Sequence, residues 1–101
     1  MTVFVDPIRN YHNIKSPTVR RHGREWCHMI SDAETDEELH SMALSIGLNK
    51  SYAQKEIPIH YDLTPNKRSL ALINGAVELS LRDFTMLVIA LRKLQGKSKS
   101  I

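Results

Sequence analysis

The sequence predicts an α/β fold: a small single domain with a short, largely parallel sheet of three to four strands packed by three helices. Its 101 residues suffice for one domain with a modest core. Short β-branched and aromatic runs alternate with segments whose apolar residues recur at helical spacing, an order typical of α/β proteins. We expect the domain to span residues 1–96 and residues 97–101 to form a flexible polar tail.

Two strands are predicted in the first third of the chain. Residues 2–5 end at Asp6, which either caps the following turn or joins a site at the end of the strand. Residues 26–31 form the second strand, and alternation places His28 on the same face as Trp26 and Ile30. His28 is therefore either a hydrogen-bonded core histidine or a site residue.

A long loop is predicted between these strands, over residues 7–25. From Arg9 to Arg24 it contains five basic residues and no acidic one. With Tyr11 and His12 interleaved, this composition suits a nucleic-acid backbone with some base stacking, and it is equally that of a solvated loop.

Three helices follow from their capping residues. The capping box at Thr35 begins a helix that ends at Gly47. Thr64 caps a second helix, which ends at Gly75 and is expected to present Leu70, Ile73 and neighbouring Ala71 or Leu72 inward. Before it, residues 59–63 are extended, and residues 76–79 after it form a strand or an extended link.

The third helix begins after Ser80 and is predicted to end at Gly96. Its apolar stripe is wide, so it is either deeply buried or partly a homodimer seam. The stripe consists of Leu81, Phe84, Leu87, Val88, Leu91 and Leu94.

Composition excludes several classes of protein. No apolar run approaches the roughly 20 residues that a membrane span needs, and the N-terminus lacks a secretory pattern. The single cysteine, Cys27, fits a reducing compartment. We expect a cytoplasmic protein without a membrane partner, in the host cytoplasm if it is phage-encoded. Glycine-rich phosphate loops, serine nucleophile elbows and paired zinc-binding histidines are missing from the sequence.

The start of the second helix is a candidate anion site. The free amides after Thr64, the favourable helix position of Pro65, and the charges of Lys67 and Arg68 would together bind a phosphate. The alternative is an ordinary helix start with solvated cations.

Catalytic and metal-binding residues are predicted around the same stretch. His60, Asp62 and His28 are the candidate catalytic residues, because they can move protons or bind a metal. Asp6, Asp32 and Asp62 each lie at or near a predicted strand end and would hold a divalent ion. With the histidines, a transition metal becomes the alternative.

The separated motifs resemble a known family, domain of unknown function 4031, which comprises small bacterial and phage domains. The resemblance rests on residues 22–32, on Asp36-Glu37-Glu38-Leu39-His40, on His60-Tyr61-Asp62 followed by Lys67-Arg68, and on Gly75-Ala76; it also takes in Val3-Phe4-Val5-Asp6. Some members look to join a similar domain to an HD-type phosphohydrolase domain, and this resemblance implies nucleotide or phosphate-ester metabolism. Carried over by position, the family pattern falls on Asp6, Gly23, Arg24, Trp26, His28, Asp32, His60, Tyr61, Asp62, Lys67, Arg68 and Gly75. The resemblance implies that the polar members of this set belong to a phosphate-handling pocket. Between Asp6 and His22 the chain departs from that pattern, since it is longer and more basic.

Three functions compete at this point. The first is binding of a phosphate-bearing ligand, either a nucleotide or a nucleic-acid backbone. Its ligand-binding residues would be Arg24, Tyr61, Thr64, Lys67 and Arg68. The second is a metal-dependent phosphoesterase or nuclease. The third is an interaction protein, such as a phage product that blocks a host enzyme, for which the basic loop and the acidic run from Asp32 to Glu38 would provide a dipolar surface.

Overall fold

A computed structural model describes residues 2–10, 25–56 and 58–99, with the backbone alone for residues 96–99. The strands within these ranges are β1 (Val3–Val5), β2 (Arg9–Asn10), β3 (Glu25–Ser31), β4 (Tyr61–Leu63) and β5 (Val77–Glu78). The helices are α1 (Glu37–Ser45), α2 (Pro65–Ile73) and α3 (Leu81–Lys99), with a 3-10 turn at Lys50–Tyr52. No helix in the described part of the chain is long and apolar enough to cross a membrane.

The sheet is built around β3. This strand pairs antiparallel with β1 and β2 along one edge and with β4 along the other, and β5 adds to β1 in parallel. The α/β class is confirmed, but the sheet is mixed rather than largely parallel. Among the described strands, β3 runs antiparallel to β1, β2 and β4, and only β5 pairs in parallel, with β1.

Helices cover both faces of the sheet. On one face, α1 and α2 enclose the larger core, which includes Val5, Met29, Leu39 and Ala71. On the other face α3 packs Phe84 and Leu91 against Ile30. The predicted alternation of β3 is confirmed, because Cys27 and Met29 face the larger core while His28 and Ile30 face α3.

Glycines end the first two helices as predicted. Gly47 and Gly75 adopt positive φ angles of 87° and 103°, which favour glycine. The amides of Leu48 and Ala76 each donate to the carbonyl five residues earlier, the pattern of a Schellman motif. The prediction for Gly96 is wrong, since the backbone of α3 remains helical to Lys99.

Several finer predictions need correction. The capping box is not formed, because α1 starts after Asp36, whose side chain makes no cap hydrogen bond. Of the residues of α2 expected to face inward, Ala71 is buried and Leu72 packs against the core, whereas Leu70 and Ile73 are exposed. The small side chain of Ala71 lets α2 approach the sheet closely. The predicted loop contains β2 and the first residue of β3, while residues 11–24 lie outside the described residues. At the far end of the apolar stripe, Leu94 is exposed, and the homodimer seam remains a prediction.

Candidate metal centre

Three polar side chains meet on the face of the sheet that α3 only partly covers. His28 of β3 and Asp62 of β4 are direct cross-strand partners. His60 lies two residues before Asp62 and therefore shares its face, because side chains alternate along an extended chain. One ligand atom from each of these three residues lies within 4.8 Å of the others. The predicted catalytic trio is thus brought together by strand register.

Asp6 holds His28 from the opposite side. The amide of Asp6 donates to the His28 carbonyl at 3.2 Å, as in an ordinary antiparallel pair. The return bond is different, because the His28 amide donates to the Asp6 carboxylate at 2.6 Å. The freed carbonyl of Asp6 instead accepts a hydrogen bond from Arg68 Nε at 2.9 Å. The carboxylate of Asp6 has therefore replaced its own carbonyl in the ladder.

This exchange of hydrogen-bond acceptors at Asp6 is accompanied by a β-bulge. Val5 faces Met29 and Arg9 faces Trp26, so four steps along one strand match three steps along the other. The extra residue lies between β1 and β2, where Asp6 is 2% exposed. The bulge thus lets a fully paired carboxylate enter the sheet beside His28.

The hydrogen bonds of the two histidines determine which nitrogen is available. His28 Nδ1 lies 3.0 Å from the second carboxylate oxygen of Asp6. His60 Nδ1 lies 3.2 Å from the Pro58 carbonyl, which can only accept a hydrogen bond. Both Nδ1 atoms are therefore assigned as protonated donors, which leaves the lone pair of each neutral ring on Nε2.

Both Nε2 atoms are directed at the same carboxylate. His28 Nε2 lies 3.8 Å and His60 Nε2 lies 3.6 Å from Oδ1 of Asp62. While both rings are neutral, their two lone pairs beside an anionic oxygen are repelled unless a cation lies between them. A tetrahedral ion with bonds of about 2.0–2.2 Å separates its ligand atoms by about 3.4 Å, which is close to both distances.

The surroundings of His28 strengthen its nitrogen as a ligand. The hydrogen bond to Asp6 raises the pKa of His28 above its ordinary value of 6.5, against the opposing effect of burial. A carboxylate that hydrogen-bonds the outer nitrogen of an imidazole fixes ring orientation and increases basicity, and this pairing recurs at histidine metal ligands. Asp6 therefore occupies the position of an outer carboxylate rather than of a direct ligand.

A cavity of about 300 Å³ adjoins the cluster. His28 and His60 form part of its wall, whereas Asp62 does not line it, so an ion held by all three would lie at the margin of the cavity. The side chains of His28, His60 and Asp62 are 33%, 19% and 41% exposed. An ion held there would remain accessible to small molecules.

The two cations predicted to bind an anion are engaged elsewhere. Lys67 Nζ donates to the Ile46 carbonyl at 2.7 Å, at the C-terminal end of α1. Arg68 is 14% exposed, and besides the Asp6 carbonyl it contacts Glu78 at 3.5 Å. The two side chains therefore serve the fold at different places and do not converge on one anion.

Other predicted site residues also lie apart from the cluster. Asp32 accepts a hydrogen bond from the Thr2 amide at 2.7 Å. Thr2 is four residues before Asp6, a separation of about 13 Å along an extended strand, so Asp32 lies away from the cluster. Tyr61 is fully buried on the opposite face, where its hydroxyl lies 2.6 Å from His40 Nδ1. Thr64 caps α2, accepting from the Lys67 amide at 3.4 Å. Arg24 lies outside the described residues.

Sequence reasoning missed two interactions and expected one site in the wrong place. Neither the pairing of Asp6 with His28 nor the contact of His40 with Tyr61 was predicted. The polar site was expected beyond the ends of parallel strands, but antiparallel register places it on a sheet face. The sequence signal for a site on a sheet face is the spacing of His60 and Asp62, which share one face of an extended chain, together with His28 on the face of Trp26 and Ile30.

The chain belongs to the family described as protein of unknown function (DUF4031), whose sequence model matches residues 13–91. The matched range includes His28, His60 and Asp62 but starts after Asp6. Neither a curated protein nor a solved structure matches the chain significantly.

Proposed function

We propose that this member of a family of unknown function binds one divalent transition-metal ion through His28, His60 and Asp62 and uses it to hydrolyse a phosphate ester. The observation that supports the proposal is the convergence of two imidazole Nε2 atoms, each with its Nδ1 hydrogen-bonded to oxygen, on one carboxylate. While both rings are neutral and no cation lies between the three groups, this arrangement is repulsive.

The donor set favours a particular class of metal. Two imidazole nitrogens and one carboxylate oxygen suit zinc or a similar first-row ion better than magnesium, which prefers oxygen ligands and water. Three protein ligands leave at least one coordination position for water, as in catalytic rather than structural zinc sites. A bound ion lowers the pKa of such a water toward 7 and so supplies a nucleophile at neutral pH.

Phosphate esters are favoured as substrates by the charges near the cluster. Arg9 and Arg92 line the same cavity as His28 and His60. Guanidinium groups are well suited to phosphate oxygens because they donate several hydrogen bonds in one plane. Metal-free anion binding at the start of α2 is disfavoured, since Lys67 and Arg68 are bound to carbonyl groups.

Metal binding is tested by titrating the metal-free protein with Zn²⁺ in a calorimeter. We expect one ion per chain for the wild type and at least a hundredfold loss of affinity in His28→Ala and His60→Ala, because each removes a direct ligand. His40→Ala is the matched control, since His40 lies on α1 and contacts Tyr61 on the other face of the sheet. Absence of binding, or equal binding by all four proteins, would overturn the proposal.

Hydrolysis is tested separately with p-nitrophenyl phosphate and bis(p-nitrophenyl) phosphate. We expect turnover that depends on added metal, stops with chelator and is lost in His60→Ala and in Asp62→Asn. If the ion binds as predicted but neither ester is hydrolysed, the hydrolytic part is rejected and the site is a metal-dependent binding site.

A further inference from the structure

The cavity beside the metal cluster has a distinct electrostatic character. Among the described residues, its charged groups are Arg9 and Arg92 together with Asp6 and Glu56, and Asp62 lies next to it through His28. Two guanidinium groups and three carboxylates leave one net negative charge when the histidines are neutral. A divalent ion converts this into one net positive charge.

Several of the residues that α3 contributes to the cavity lining are apolar. Leu81, Val88 and Ile89 of α3 line the cavity, and Phe84 lies beside them with 5% exposure. Leu81 and Ile89 are 44% and 42% exposed, so they retain apolar surface that a ligand would cover. With a divalent ion bound, the cavity would therefore combine a net positive charge with an apolar side, which is the usual composition of a small-molecule site.

On this basis, and resting on the metal site proposed above, we propose that the metal-loaded cavity takes a small organic phosphate monoester. The phosphate lies between the ion and the guanidinium groups of Arg9 and Arg92, and the apolar or aromatic part of the molecule lies against Leu81, Val88 and Ile89. Metal and anion binding are then coupled, because the ion reverses the sign of the cavity.

Phenylphosphonate and methylphosphonate test this assignment, since they resist hydrolysis and differ only in the apolar group. With zinc-loaded protein we expect phenylphosphonate to bind about tenfold tighter than methylphosphonate, the ratio that burial of roughly 60 Å² of additional apolar surface gives. With metal-free protein we expect at least tenfold weaker binding of both compounds. Equal affinities for the two compounds in the zinc-loaded protein, or anion binding unaffected by zinc, would overturn the inference.

Two variants of α3 locate the apolar wall. Ile89→Ser should reduce the preference for phenylphosphonate about fivefold and leave the affinity for Zn²⁺ unchanged, because Ile89 lines the cavity and is not a ligand. Leu94→Ser is the matched control, since Leu94 is 65% exposed on the same helix and does not line the cavity. Equal effects of the two substitutions would contradict the assignment of the wall.

The outcomes separate the inference from the function on which it rests. Failure of Zn²⁺ to bind rejects the metal site itself. Normal Zn²⁺ binding with no preference for phenylphosphonate rejects only the substrate class. Tighter binding of a ten-residue oligothymidylate than of phenylphosphonate would point to a nucleic-acid strand and would also reject it.

Discussion

Asp6 determines how His28 is presented. Both of its carboxylate oxygens are used, one by the His28 amide and the other by the ring, and the side chain is almost completely buried. In Asp6→Asn, the amide oxygen still accepts the hydrogen bond from the His28 backbone N–H, but the NH₂ group lies against Nδ1 of the His28 ring. His28 would then transfer its proton to Nε2, the atom that faces Asp62.

We therefore expect Asp6→Asn to weaken Zn²⁺ binding by 10- to 100-fold, the range typical of outer partners of histidine ligands. Asp32→Asn is the matched control, because Asp32 also accepts a backbone amide next to β1 but lies away from the cluster. Isothermal titration of both variants measures the effect. Equal losses in the two would show that Asp6 acts through general stability and not through His28.

Cys27 is chemically quiet in the folded chain. Its side chain is fully buried, and burial, followed by the charge of Asp6, raises the pKa of the Cys27 thiol from 9.0 to about 12. The raised value means that the neutral thiol is favoured by folding. The thiol ionises near pH 9.0 in the unfolded chain but only at about 12 in the folded chain. The contribution of the neutral Cys27 thiol to stability is therefore complete below pH 9 and is lost as the pH rises through about 12.

We expect the native protein to show no reaction with Ellman's reagent at pH 8 over minutes and to react with one equivalent after unfolding in guanidinium chloride. Absorbance at the thionitrobenzoate band measures this. Rapid reaction of the native protein would mean that β3 opens readily or that the thiol is accessible.

At the level of secondary-structure elements, Lys67 joins two helices. The last turn of α1 contains no basic residue of its own, and Lys67 of α2 donates to the Ile46 carbonyl there. A cation at a helix C-terminus interacts favourably with the helix dipole and satisfies a free carbonyl. The ammonium group also approaches Gly47 closely, since a Cβ built on that glycine would lie 3.0 Å from Nζ.

Lys67→Met should lower the free energy of unfolding by about 1 kcal/mol through loss of this contact. It should leave Zn²⁺ affinity unchanged, because Lys67 is bound to α1. Urea denaturation provides the first value and titration the second. The exposed Lys93→Met of α3 serves as control for the removal of a lysine charge. A large loss of metal or phosphonate affinity in Lys67→Met would restore the anion site that the sequence predicted at this turn.

The elements that the sequence predicted well are those with local signals. Thr64 and Pro65 begin α2, and the positive-φ glycines Gly47 and Gly75 end α1 and α2. Strand β2 had no such signal, because Arg9 and Asn10 have little intrinsic preference for a strand. Pairing with β3 overrides that preference, as is common for strands, whose stability depends on their neighbours.

For the whole molecule, topology separates what the sequence could predict from what it could not. His28, His60 and Asp62 were identified by residue type and by alternation, which are local properties. Their meeting depends on the antiparallel register of β3 and β4, and no local pattern specifies which strands pair. The hydrogen bonds of Asp6 to His28 depend on a bulge between two paired strands, and the sequence of a single segment does not predict such a bulge.

The same topology explains why the site lies where it does. Helices α1 and α2 close one face of the sheet over the main core, while α3 packs only part of the other face around Ile30 and Phe84. The two histidines lie where this face is only partly covered, and the cavity there is lined by residues of the sheet and of α3. The sheet thus positions the metal-binding side chains on strand residues, and α3 lines the other part of the cavity in which a bound molecule would lie.

The most direct test of the metal centre is an anomalous difference map at the zinc absorption edge from crystals grown with Zn²⁺. We expect one strong peak about 2.0–2.2 Å from Nε2 of His28, Nε2 of His60 and a carboxylate oxygen of Asp62, with Asp6 bound to Nδ1 of His28 and not to the ion. A map with no peak at this position, or with zinc held by other side chains such as Asp32, would contradict it.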